Sequence, residues 1–120
     1  MMLYIKDDEG YKGVYSRVAC PANNMLYSLM SGDPTKVPTR TSIQIAKDLH
    51  IEDEIGSCIN HSCSPSCSIK DFFVVTLRDI QVGEEITFNY NENEDVVSSP
   101  FKCGCCGKMI LGRNHEQKTT

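Results

Sequence analysis

Apolar residues in this chain come in short runs broken every few positions by Gly, Pro, Asn or Asp, and no window of ten or more residues keeps a 3.6-residue apolar period. A bundle of long helices is thereby excluded, and a mainly β fold is predicted. Candidate strands are 3–5, 14–18, 25–29, 41–45, 49–51, 72–77 and 85–90, with turns at 8–10, 21–24, 32–34, 47–48 and 81–83. In the last strand the period-2 alternation puts Ile86, Phe88 and Tyr90 on one face and Thr87 and Asn89 on the other. Phe88 and Tyr90 are therefore expected to look into the same space.

With 120 residues, 40% apolar and 23% charged, the chain suits one domain with a modest core. No stretch approaches the roughly 20 apolar residues of a membrane span. The apolar N-terminus gives way at once to Asp7, Asp8 and Glu9, so neither a membrane helix nor a secretory signal is expected. Twelve Lys plus Arg against sixteen Asp plus Glu leave a net charge of −4. Direct nucleic-acid binding is not expected from that balance, and a cationic partner suits it better. Acidic clusters at 7–9, 52–54 and 92–95 would draw a lysine-rich peptide, although such runs are ordinarily solvated loops. Seven cysteines is an odd number, which leaves one over in any closed set of disulfides. Cys58, Cys63 and Cys67, then Cys103, Cys105 and Cys106, cluster as metal ligands do in a reducing compartment, so an intracellular location is expected. Cys20 reads as an ordinary buried cysteine beside a turn.

Three segments concentrate chemistry. Asn60-His61-Ser62-Cys63-Ser64-Pro65-Ser66-Cys67 packs amide, imidazole, hydroxyl and thiol groups into eight residues; Gly83-Glu84-Glu85-Ile86-Thr87-Phe88-Asn89-Tyr90 follows; Phe101-Lys102-Cys103-Gly104-Cys105-Cys106-Gly107 comes last. In this order they resemble the SET-domain protein-lysine methyltransferases, with their NHSC box, their GEExTFxY strand and their cysteine-rich post-SET tail. Lys12-Gly13-Val14-Tyr15-Ser16 is similar to the family's GxGVFA segment, so the resemblance runs over about residues 10–112.

The resemblance implies a β-clip fold of several small twisted sheets, with few short helices and a C-terminal pseudoknot. It implies a SET domain over 1–100 with an insert at about 30–55, and a post-SET-like cysteine segment over 101–112. The apolar-free stretch 113–120 is expected to fray. The activity implied is methyl transfer from S-adenosylmethionine to a lysine amine of a protein or peptide, with a basic protein such as a histone as the substrate class. Residue by residue, Tyr90 matches the catalytic tyrosine at the cofactor's methyl, and Asn60 with His61 match the pair that holds the cofactor's adenine and amino-acid ends. Lys12 and Gly13 match the loop whose backbone approaches the cofactor, and the Phe101 ring is expected against the adenine. Phe88 matches the channel position that sets how many methyls fit, and a Phe there resembles enzymes able to go beyond monomethylation.

A structural zinc is implied at Cys63, Cys103, Cys105 and Cys106, with Cys58 or Cys67 as replacements. The family spacing of that tail is CxCxxxxC, whereas Cys106 here follows Cys105 directly. Reduced, half-buried thiols, or a redox role for Cys103 and Cys106, are the other readings. Other departures are Tyr11 in place of the first Gly of GxG, Asn89 in place of an Asp, and a short insert. A short insert implies an open peptide groove, to be completed by a partner or by a second copy of the chain as a homodimer. Within it Arg40 and His50 are candidate groove residues, with exposed polar side chains the plainer expectation. The alternative function is a non-catalytic SET-like zinc module that binds a basic peptide.

Overall fold

The computed structural model describes residues 2–39, 41–94, 97, 100–104 and 107–112. Its chain order is β1 (Leu3–Asp8), β2 (Tyr11–Ser16), β3 (Met25–Ser28), β4 (Asp33–Thr35), β5 (Ile43–Ala46) and β6 (Leu49–Glu52). A single 3-10 turn, Gly56–Cys58, comes next, followed by β7 (Asn60–His61), β8 (Cys67–Lys70), β9 (Phe73–Thr76) and β10 (Glu85–Phe88). The short helix α1 (Tyr90–Asn93), β11 (Phe101–Lys102) and β12 (Met109–Ile110) complete it.

Tight hairpins build most of this. Glu9 and Gly10 both take positive φ between β1 and β2, the geometry of a two-residue turn whose twist matches the strands it joins. The hairpins β5–β6 and β8–β9 likewise turn on Asp48 and Asp71 at positive φ. The strands assemble into four small sheets, ordered β1-β2-β10-β7, β3-β9-β8, β4-β6-β5 and β11-β12. One cluster of buried side chains runs through the first three, including Leu3, Val14, Leu29, Ile59, Val74 and Ile86. The mainly β expectation holds.

Several local expectations are corrected. Asp33 and Pro34, read as part of a turn at 32–34, lie in β4, and Pro34 is tolerated because β4 is an edge strand that need not donate on its outer side. His50, expected to be exposed, is buried on β6, the middle strand of its sheet. The strand read through Tyr90 ends at Phe88, and Asn89 is the reason: its side-chain oxygen accepts from the backbone N–H groups of Asn91 (2.9 Å) and Glu92 (3.3 Å). That cap starts α1 at Tyr90. Arg40 and the stretch 113–120 lie outside the described residues.

The decisive feature for function is the position of β10. It pairs antiparallel with β2 (Ile86 opposite Val14) and parallel with β7 (Thr87 opposite Asn60, Phe88 opposite His61). Ser66 covers Thr87 on one face and the hydrophobic core takes Ile86 and Phe88 on the other, so all three are buried. The alternation inferred for an isolated strand gives way to continuous burial.

Candidate active site

The loop after β7 is fastened to β10 by hydroxyls. Ser66 N donates to Thr87 Oγ1 (3.1 Å), Thr87 N to Ser66 Oγ (3.0 Å), and Ser66 Oγ to the Glu85 carbonyl (3.1 Å). Ser62 N donates to the Phe88 carbonyl at 3.2 Å. Asn60, His61 and Cys63 are thus held against the strand that leads into Tyr90.

Tyr90 opens a helix, and its backbone N–H has no partner within that helix. His61 supplies one, with Nδ1 accepting from Tyr90 N at 3.0 Å. An accepting Nδ1 fixes the neutral tautomer with hydrogen on Nε2. Burial lowers the His61 pKa and favours the same neutral ring. Nε2 lies 3.4 Å from Cys63 Sγ, so the tautomer makes His61 the donor and the sulfur the acceptor.

The Tyr90 phenol donates to the Ile59 carbonyl. Burial, then the charges of Glu94, Tyr11, Cys58 and Glu85, push its pKa well above the usual tyrosine value. The hydroxyl therefore keeps its proton, and the oxygen remains able to accept. Its ring lies 4.8 Å from that of Phe88, 5.3 Å from His61 and 6.0 Å from Phe101. Phe88 and Tyr90 do share one space, as the sequence predicts. Phe101 reaches them because the tail docks on α1: Asn91 Oδ1 accepts from Leu111 N (3.0 Å) and Gly112 N (2.9 Å), and Ile110 pairs with Phe101.

These groups line a cleft of about 1010 Å³, walled by Tyr11, Asn60, His61, Glu85, Tyr90 and Phe101, with Thr41 to Ile43 of the insert opposite. A smaller cleft of about 340 Å³ lies against β8 and α1, and Phe88 is the residue common to both. Lys12 and Gly13 stand behind the wall. The Lys12 carbonyl accepts from Asn60 Nδ2 at 2.8 Å, and a Cβ on Gly13 would come within 2.8 Å of Glu85 Oε2, so a side chain there would shift the Glu85 carboxylate. Tyr11, Glu85 and Glu94 were not singled out as site residues by motif reading. Glu94 is buried against the insert and accepts from the Gln44 N–H at 2.8 Å.

His61, Cys63 and Cys103 form a group whose ligand atoms all lie within 4.8 Å of one another, with the two sulfurs 3.5 Å apart. Two thiolates on one tetrahedral zinc stand about 3.8 Å apart, given Zn–S bonds of about 2.3 Å. The sulfur pair fits a metal. The His61 ring, its Nε2 carrying hydrogen, is better suited to donating to a thiolate than to ligating. Cys105 and Cys106 lie outside the described residues. Cys58 and Cys67 are not part of the group; Cys67 is buried beside Ser66, and burial pushes its thiol up to about 11.

Comparison with known proteins agrees with this geometry. The SET domain family model matches residues 4–91. A methyltransferase of Aspergillus flavus, flvH, is 37% identical over 103 residues, covering 81% of this chain and 57% of that protein. The variant-silencing SET domain-containing protein of Plasmodium falciparum is 40% identical over 75 residues, 52% of this chain and 3% of its own length. A histone-lysine N-methyltransferase of Aspergillus oryzae, H3 lysine-36 specific, is 35% identical over 78 residues, 55% of this chain and 8% of its own length. The chain thus spans a little over half of the first of these relatives and a small part of the others. The family match covers most of the chain, and the motifs that carry it converge on one cleft: the chain belongs to the SET-domain family.

Proposed function

We propose that the chain is an S-adenosylmethionine-dependent protein-lysine N-methyltransferase. The observation that carries this reading is the convergence of Tyr90, Asn60 and Phe101 on one cleft, with Phe88 between that cleft and a second one. Two substrates entering from different sides need such a shared wall.

The fit to the cofactor rests on the donor set. Asn60 Nδ2 is spent on two acceptors, the Lys12 carbonyl and Glu85 Oε2, so Oδ1 is left to receive a donor. Aromatic rings of Phe101 and His61, 6.0 Å apart, offer apolar surface to a flat base. When bound, S-adenosylmethionine supplies an electrophilic methyl on a sulfonium. The chain's own residues do the rest. A lysine amine has an unperturbed pKa of about 10.4 and must lose its proton to attack, which a desolvated channel beside Phe88 favours. The Tyr90 oxygen, its own hydrogen turned to Ile59, accepts from the amine and aims its lone pair. Phe88 adds no second hydroxyl beside the nitrogen, which suits addition of more than one methyl.

Zinc is the metal we assign to Cys63 and Cys103, with Cys105 and Cys106 as the further ligands. It would pin the tail that carries Phe101. The substrate class is a lysine in a basic protein, in keeping with the acidic clusters and with relatives named for histone lysines. No helix among the described residues is long and apolar enough to cross a membrane. Incubation with S-adenosylmethionine and core histones, read by mass spectrometry, tests the activity. Methylated lysine is expected with the wild-type chain and none with Tyr90→Phe. Equal methylation by both would remove Tyr90 from the mechanism.

A further inference from the structure

Tyr11 stands where the family motif has glycine, and its hydroxyl reaches across the sheet to the Glu85 carboxylate, 3.1 Å from Oε1 and 3.0 Å from Oε2. Glu85 Oε2 in turn accepts from Asn60 Nδ2 at 2.9 Å. Both partners of that amide nitrogen are obligate acceptors, so the orientation of Asn60 is settled by chemistry and its Oδ1 is the acceptor left over. Among the described residues the only ion pair is Arg78 with Glu84, so Glu85 has no cationic partner among them. A half-buried carboxylate and an amide oxygen therefore face the same cleft, and both call for a positively charged donor.

The resemblance already gives Asn60 to the cofactor's amino-acid end; we infer that Glu85 joins it there as an ammonium acceptor, and that Tyr11 is a positioning residue which holds the Glu85 carboxylate in place. The inference rests on the proposed methyltransferase reading, and the ammonium it assigns is the α-amino group of the cofactor. Gly13 belongs to the same design, because a side chain there would displace Glu85 Oε2. Register makes the arrangement possible. β10 and β2 pair Glu85 with Tyr15, which carries the Glu85 side chain along β2 toward Tyr11, while β7 on the other side of β10 brings Asn60. A chain with glycine at position 11 would have to hold this carboxylate by other means.

The test is a calorimetric titration of wild type, Tyr11→Phe and Glu85→Gln with S-adenosylhomocysteine and with its deaminated analogue. Tyr11→Phe is expected to weaken S-adenosylhomocysteine about tenfold, the scale of one charge-assisted hydrogen bond, and to leave the analogue unchanged. Glu85→Gln should show the same selectivity with a larger loss. Equal losses for both ligands would make the role merely structural and overturn the inference, as would no loss in either variant. A rise only in the KM for a lysine peptide would mean that the corner takes the substrate ammonium, which also overturns the assignment to the cofactor. Failure of the wild type to bind S-adenosylhomocysteine is a separate outcome: it would sink the methyltransferase reading itself.

Discussion

Tyr90 joins three constraints in one side chain. Its N–H is held by His61, its ring by Phe88 and Phe101, and its hydroxyl by the Ile59 carbonyl. Tyr90→Phe removes only the last, so a stability loss of about 1 kcal/mol is expected, measurable by denaturant unfolding, with cofactor binding retained and methyl transfer lost. Motif reading reaches Tyr90, Phe88, Asn60 and His61 because their spacing in the chain is characteristic. It does not reach the Tyr11–Glu85 contact. Two residues 74 positions apart meet only once the pairing of β2 with β10 is known, and no local pattern encodes that. The His61 tautomer was hidden for the same reason, since it depends on where the Tyr90 N–H points.

At the scale of elements, β10 decides the site and Asn89 decides where β10 ends. Asn89→Ala removes the cap of a one-turn helix and should cost about 1 kcal/mol. It should also loosen Tyr90, seen as faster hydrogen exchange at the Tyr90 amide. Gly13→Ala would force Glu85 away from Asn60, so weaker cofactor binding is expected with little change in Tm; unchanged affinity would show that the carboxylate end simply swings aside. Most of the longer strands were legible from apolar runs and turn residues, but β8 was not, because Cys67 and Ile69 alone are too short an apolar pattern to mark a strand. Strands of two residues such as β7 and β11 carry no periodicity to detect, and β4 was concealed by Pro34, which ordinarily signals a turn. The helix at Tyr90 was concealed by the strength of the strand pattern before it.

For the whole molecule, the proposed reading makes the tail the link between metal and cofactor. Phe101 lies two residues before Cys103, and Asn91 fixes the far end of the tail to α1. If zinc joins Cys63 to Cys103, chelation should weaken S-adenosylmethionine binding about tenfold, or about 1.4 kcal/mol. Unaltered affinity after verified metal loss would separate the two. Stability at high pH is a further global readout. The Cys67 thiol is raised from 9.0 to about 11 by burial, so both states hold the proton below pH 9 and stability there is unaffected. As pH rises from 9.0 to about 11 the unfolded thiol ionises first, and up to about 3 kcal/mol is lost. Half-buried Tyr27 and Tyr90, also raised, add their own losses at still higher pH. Cys67→Ala should flatten the first part of that decline in denaturant unfolding, and an unchanged profile would assign it elsewhere.

If motifs from β2, β7, β10 and the tail form one cofactor site, a calorimetric titration of the reduced protein with S-adenosylmethionine will show it. Saturable one-to-one binding, lost in Asn60→Ala and retained in Tyr90→Phe, is the predicted result. A folded, zinc-replete protein that takes up no S-adenosylmethionine would contradict the account and leave a SET-type module that binds a basic peptide without methylating it.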